Sequence, residues 1–192
     1  MSVQKLEKTL QAIDDFNSMD PTSVEGSDQP KELLYSMQMT EWLHKLSETP
    51  SDHLKLAARG QHIGRWHIPR SNYPDDRPGY LKWRTELKGF HAQKMSEIMR
   101  IEGWDQNDID LVNLLILKKE LKSNPDSQLL EDVVCLVFLE FYYEEFIKSH
   151  SAEKVIGILQ KTWKKMSTQG HEHAMHLPYS DKAKTLIQEA LG

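Results

Sequence analysis

Apolar residues recur about every 3.6 positions along nearly the whole of this chain, and no alternating stretch is long enough to mark a strand. Glycine and proline are few among 192 residues, nine and eight, and they cluster between the periodic stretches. The first stretch puts Val3, Leu6, Leu10, Ile13 and Phe16 on one face and stops at Asp20-Pro21. After a polar loop, Thr22 to Pro30, a second helix is expected to about Leu46, because proline costs nothing at a helix start. Ser51 or Asp52 caps a third, expected to run to Trp66. The stretch His67 to Gly79 holds three prolines and must be irregular. A fourth helix spans about Tyr80 to Glu102 and ends at Gly103, and Asp105 or Asn107 caps a fifth. The sixth, Gln128 to Ser149, is the most apolar and is expected at the centre. A seventh follows from Ser151 to Ser167, then a His-rich connector from Gly170, then a short helix capped by Ser180. The expected class is all-α: one compact domain, 1–192, of about eight helices, with 151–192 a C-terminal helical extension packing on it.

Composition narrows the function classes. The net charge is -5, which argues against a dedicated nucleic-acid binder. One cysteine, Cys135, can form neither an internal disulfide nor a Cys-rich zinc site. The N-terminus is charged throughout and has no secretory pattern. The longest apolar run, Val133 to Leu139, falls far short of the roughly 18 residues of a membrane span. These features point to a cytoplasmic protein with no membrane partner, and they are compatible with a homo-oligomer.

Charge is unevenly spread. Leu54 to Met95 carries nine basic residues against three acidic ones, a net +6 inside a chain of -5. Such a segment can concentrate anionic ligands, or its arginines can simply pair with acidic neighbours. On a continuous third helix Arg59, His62, Arg65 and Trp66 would share one face, and on the fourth so would Arg84, Lys88, His91 and Met95. Arg59, Arg65, Arg70, Arg84 and Lys88 are therefore candidates for holding a phosphate or carboxylate, since arginine forks grip such groups at two points. Trp66, Tyr80 and Trp83 lie in the same segment and could stack on a flat ring or serve as core anchors.

Imidazole with carboxylate suits manganese, iron or zinc, so His62, His91 and Asp132 are candidate ligands. Glu131 and Asp132 enter the apolar helix, where a carboxylate needs an ion partner or a metal. Weaker patterns are Glu41-x-x-His44 and the cluster His171, His173 and His176. A Gly-rich phosphate loop, a G-x-S-x-G elbow and an H-E-x-x-H motif are all missing from the sequence.

The strings PKELLYSMQM from Pro30, LAARGQHIGRWHIPRSNYP from Leu56, RPGYLKWR from Arg77 and QLLEDVVCLVFLEFYYEEF from Gln128 carry a resemblance. They are similar to a bacterial and fungal family classed as a domain of unknown function, DUF 4202. More remotely, the order of elements resembles the HD superfamily of helical, metal-dependent phosphohydrolases. On that resemblance Gln61 and His62 stand where an adjacent His-Asp pair would, and Asp132 resembles the last Asp. His91 resembles an additional histidine of some members, and the early histidine would fall near Tyr35 or Ser36. The chain departs at three of four signature ligands, so the resemblance implies an altered metal site, with His62, His91 and Asp132 as the rearranged set.

Two readings follow. In the first, a divergent HD-like hydrolase acts on a phosphorylated small molecule or nucleotide. A divalent manganese, iron or zinc would polarise the phosphate, Glu131 would take a proton, and Arg65, Arg70, Arg84 and Lys118 would hold the anion. In the second, the same basic cleft binds an anionic metabolite or nucleotide without turnover. A helical interaction protein with purely structural arginines is the bland alternative.

Overall fold

The computed structural model describes residues 3–24, 28–121 and 123–192, and among these it is all-α with ten α-helices and no strand. The helices are α1 Val3–Asn17, α2 Lys31–Leu46, α3 Asp52–Arg59, α4 Arg77–Ile101, α5 Gln106–Ile116, α6 Pro125–Val137, α7 Tyr143–Ser149, α8 Ala152–Trp163, α9 Thr168–Met175 and α10 Asp181–Leu191. Local chemistry sets most of the starts. Ser51, Asp76, Asp105, Asn124, Ser151, Ser167 and Ser180 each accept a backbone N–H of the first turn they precede. None of the described helices is long and apolar enough to cross a membrane. The polar loop expected at 22–30 falls partly outside the described residues.

The chain divides into two compact units, Met1–Glu120 and Leu121–Gly192. The division expected at residue 151 therefore falls inside the second unit. In the first unit α3 packs on α1, α2 and α5, and α4 packs on α1 and α5. Ile13, Met39, Leu43, Leu54, Leu56, Met95, Met99, Val112 and Ile116 are fully or almost fully buried among these helices. Burying such side chains contributes about 1.5–3 kcal/mol each. Two polar contacts fix their register. Arg59 donates from Nε and Nη2 to both carboxylate oxygens of Asp14, at 2.6 and 2.7 Å, and from Nη1 to Thr40 Oγ1 at 3.1 Å. Asp20 accepts the Glu32 backbone N–H at 3.0 Å and so pins the start of α2.

In the second unit α6 packs on α9, while α7, α8 and α10 pack on one another. The most apolar stretch is α6, then a π-helical turn at Phe138–Tyr142, then α7. It supplies Leu130, Val133, Leu136, Val137, Leu139, Tyr143 and Ile147 to the buried core. Glu131 and Asp132 are buried as well, and both have partners. Lys165 Nζ lies 3.4 Å from Glu131. Asp132 accepts the backbone N–H of Ser167 at 2.8 Å, the Ser167 hydroxyl and the Gln128 amide.

Three local expectations need correction. The third helix stops at Arg59 rather than Trp66, because Gly60 ends it and Gly64 adopts the left-handed conformation at φ 65°. Arg59 therefore does not share a helical face with His62, Arg65 and Trp66. On α4 His91 and Met95 belong to a buried stripe with Trp83 and Leu87, at strict i, i+4 spacing, while Arg84 and Lys88 are only half-buried. The His-rich connector is the helix α9, which Ser167 caps.

Gly64 is constrained both by its neighbours and by its backbone. A Cβ there would lie 2.7 Å from Phe16 Cε1 and 2.9 Å from Phe90 Cε1, on a backbone that L side chains avoid. Gly89, within α4, has open space at the same position. Gly64→Ala should cost about 3 kcal/mol, combining left-handed strain with overpacking. Gly89→Ala should be neutral or stabilising by up to about 1 kcal/mol. Urea denaturation of the two variants checks this, and equal midpoints would contradict the assignment.

Candidate functional site

Chemistry in the first unit gathers where α2, the turn after α3, and α4 meet. Pro30 starts α2, and the Asp20 bond to its first turn fixes the backbone of Glu32. One turn on, Tyr35 lays its ring against His62, centroids 4.1 Å apart and 11° from parallel. His62 precedes the left-handed Gly64, so its backbone is outside the helix. The same turn leaves the Ile63 carbonyl outside any helix, where it accepts from His91 Nδ1 at 2.7 Å. A carbonyl only accepts, so that nitrogen carries the proton, and Nε2 of a neutral His91 is a lone-pair acceptor. The His62 and His91 rings lie 5.9 Å apart.

Arg65 closes the outer side. Its Nη1 lies 3.2 Å from His62 Nε2, and its guanidinium sits 5.0 Å from the Trp83 ring centroid. A guanidinium has no acceptor, so its approach requires an unprotonated nitrogen on His62. Trp83 is itself fixed by a bond from its indole N–H to the Ile68 carbonyl at 2.9 Å. The carboxyl of Glu32 completes the group: Oε1 is 4.0 Å from Arg65 Nε, and Oε2 is 3.7 Å from His62 Nδ1. Neither distance is a hydrogen bond, and among the described residues Oε2 has no hydrogen-bond partner.

The side chains form a floor and a rim. Glu32 is 7% exposed and His91 is buried, whereas His62 is 24% and Arg65 35% exposed. A small molecule reaching the rim would therefore meet an imidazole and a guanidinium above a buried carboxyl. Burial and the electrostatics of neighbouring groups set protonation. Desolvation raises Glu32 to about 7, opposed chiefly by Arg65. Desolvation, then the positive charges of Arg65, Lys118 and Arg84 together with the His91 ring, push His62 well below its ordinary range. Burial takes His91 down to about 4, against the pull of its Ile63 bond. Both histidines are thus neutral at pH 7, with cations around them.

The placements of the expected residues sort themselves. Arg65, Trp83, His62 and His91 come together, and Arg84 and Lys118 are near enough to act on His62. Arg84 also lies over the Tyr80 ring, 5.7 Å away. Lys118 closes α5 in a left-handed conformation, φ 55°, with the Lys119 N–H returning to Leu114 O. Lys88 is half-buried on α4. Other candidates have structural partners. Arg59 is held by Asp14 and Thr40, and Arg70 donates to the Tyr73 carbonyl at 2.9 Å within the irregular loop. Trp66 stacks on Phe16, centroids 5.6 Å apart. Glu131 and Asp132 belong to the second unit, beside Lys165 and Ser167.

Among the described residues no group of three or more His, Cys, Asp or Glu side chains is placed to hold a metal ion. The donor chemistry agrees. A divalent cation beside His62 would have to share the ring with the Arg65 guanidinium, and the oxygens of Asp132 already accept from Ser167 and Gln128. The residues present do not fit manganese, iron or zinc at the proposed ligand set.

Glu32 and Tyr35 did not figure among the expected site residues. The one available signal was a carboxylate at Glu32 directly before an apolar Leu33-Leu34 pair, which reads equally well as a favourable charge in a helix's first turn. Tyr35 occupies the region where an early histidine would stand on the HD resemblance.

A family model described as "Domain of unknown function (DUF4202)" matches residues 7–187. No curated protein matches the chain. No solved structure matches it.

Protonation gives the site a measurable signature. Between about pH 4.5 and 7 the unfolded chain ionises Glu32 while the folded one keeps its proton, so this carboxyl makes stability fall as pH rises. His91 acts oppositely: the unfolded chain holds its proton up to about 6.5 and the folded one only to about 4, so stability rises with pH. Glu32→Gln abolishes only the carboxyl's share. The stability of the variant relative to wild type should therefore grow from pH 4.5 to 8, by about 3 kcal/mol in total. Urea titrations at pH 4.5, 6 and 8 check this; a difference independent of pH would refute the buried protonated carboxyl.

Proposed function

We propose that this chain, which belongs to the DUF4202 family, is a binding module for a small anionic ligand, a phosphorylated metabolite or nucleotide, and that it holds this ligand without metal-dependent turnover. One observation carries the reading. Arg65, Lys118 and Arg84 act together on a neutral His62, and the carboxyl closest to it, Glu32, is itself held toward its neutral form. The site is thus positively polarised, partly open at Arg65 and His62, and walled by the flat rings of Tyr35 and Trp83. An anion brought there gains charge-assisted bonds from a guanidinium already oriented against Trp83. A neutral imidazole adds one N–H donor for a phosphate oxygen.

Binding removes the anion's charge from water only in part, because the rim stays accessible. Affinity should therefore fall with ionic strength. A flat base would meet the part-exposed His62 ring and Arg65 guanidinium at the rim, which makes a nucleotide a reasonable member of the class.

The hydrolase reading differs in requiring a metal, and one experiment separates the two. Metal-stripped protein is titrated calorimetrically with inorganic phosphate, sugar phosphates and nucleotides, each with and without manganese, iron or zinc. Binding is expected without metal, and Arg65→Ala should weaken it roughly 10- to 100-fold, the worth of one charged hydrogen bond. Binding or phosphate release only with metal, and unaffected by Arg65→Ala, would overturn the module in favour of the hydrolase.

A further inference from the structure

Resting on the anion-binding reading, we infer that Glu32 selects among anions: the site takes ligands that carry a hydroxyl or amine donor beside the anionic group, in preference to the bare anion.

The argument starts from an unmet need. Glu32 Oε2 is buried and, among the described residues, has no hydrogen-bond partner, so the loss of its water is not made good. Its backbone cannot drift to find a donor, because the N–H is bonded to Asp20 and the residue begins α2 directly after Pro30. The nearest donor-capable atom, His62 Nδ1, stops at 3.7 Å, too far to satisfy it and near enough to keep the oxygen facing the site. A second acceptor lies close by. His91 gives its one proton to Ile63, which leaves Nε2 with a lone pair, and its ring is 5.9 Å from that of His62.

A bare phosphate cannot answer these groups. It can meet Arg65, but at neutral pH it is chiefly an acceptor itself and so leaves the carboxyl oxygen and the imidazole lone pair unpaired. A hydroxyl or ammonium placed two or three bonds from the phosphate would donate to Glu32 Oε2 while the phosphate meets Arg65. The selectivity follows the rule that a polar site rejects a ligand that leaves its buried groups unpaired more strongly than it rejects a small change in size. Desolvation holds this carboxyl up at about 7, and an ammonium placed against it would favour the ionised form, which only accepts.

The experiment compares methyl phosphate, 2-hydroxyethyl phosphate and phosphoethanolamine by calorimetry on metal-free wild-type protein, Glu32→Leu and Glu32→Gln. Wild type should bind the two donor-bearing probes at least tenfold more tightly than methyl phosphate. Glu32→Leu should erase that ratio. Glu32→Gln keeps an acceptor without a charge, so it should lose the preference for the ammonium probe more than for the hydroxyl probe. A wild-type ratio near one, with methyl phosphate still bound and still lost in Arg65→Ala, overturns the selectivity alone. That measurement does not depend on either Glu32 variant folding. If none of the three probes binds wild type, the anion-binding reading falls and the selectivity with it.

Discussion

A single turn, Gly60 to Gly64, governs the first unit. Had α3 continued, His62 and Arg65 would project from a rod beside Arg59, and the Ile63 carbonyl would be spent on the helix ladder. Instead the left-handed Gly64 turns the chain, with its N–H bonded to Asn17 Oδ1 at 3.2 Å in a buried contact with α1. The turn releases the Ile63 carbonyl, and His91 takes it up. One backbone reversal thus sets the position of one imidazole and the tautomer of another. It also turns Arg65 toward Trp83 rather than along the helix.

Buried carboxyls in the two units show how differently the same group can be handled. Asp132 is surrounded by donors: the Ser167 N–H and hydroxyl and the Gln128 amide. It joins α6 to the start of α9, and Gly170 has no room for a side chain against it. Such a shell of donors replaces the water that a buried carboxyl has lost. Glu32 has no such shell. Its oxygens stand at 3.7 and 4.0 Å from their nearest cationic or imidazole nitrogens, and the folded protein favours its neutral form. Satisfied polar groups hold folds together, whereas unsatisfied ones mark places built for something else.

The helical class, most caps and the apolar centre at α6 were legible because they rest on local chemistry: periodicity, Ser and Asp at helix starts, and Pro30 and Gly103 as punctuation. The end of α3 was not, since the pattern Ala58, Gln61, His62 and Arg65 continues a helical face on paper, and only the paired glycines interrupt it. Likewise α9 was hidden by its histidines and glycine, which read as a loop until Ser167 is seen capping it. Site residues close to one another in sequence, Arg65 with His62, could be grouped from spacing. Glu32 belongs with them only through packing across 30 residues, and spacing carries no trace of that. Asp132 was attractive for the opposite reason: an acidic pair entering an apolar helix stands out, while Ser167, which answers it, lies 35 residues on.

The π-helical turn at Phe138–Tyr142 carries a historical implication. Such a turn is what a helix shows when one residue has been inserted without breaking it. Each added residue rotates everything downstream by about 100°. In this chain that rotation is what brings Tyr143 and Ile147 into the core, with the Tyr143 hydroxyl donating to the Ala183 carbonyl at 3.3 Å. A relative one residue shorter across this turn would carry an uninterrupted α-helix there, and would need different residues beyond it to bury against its last helix.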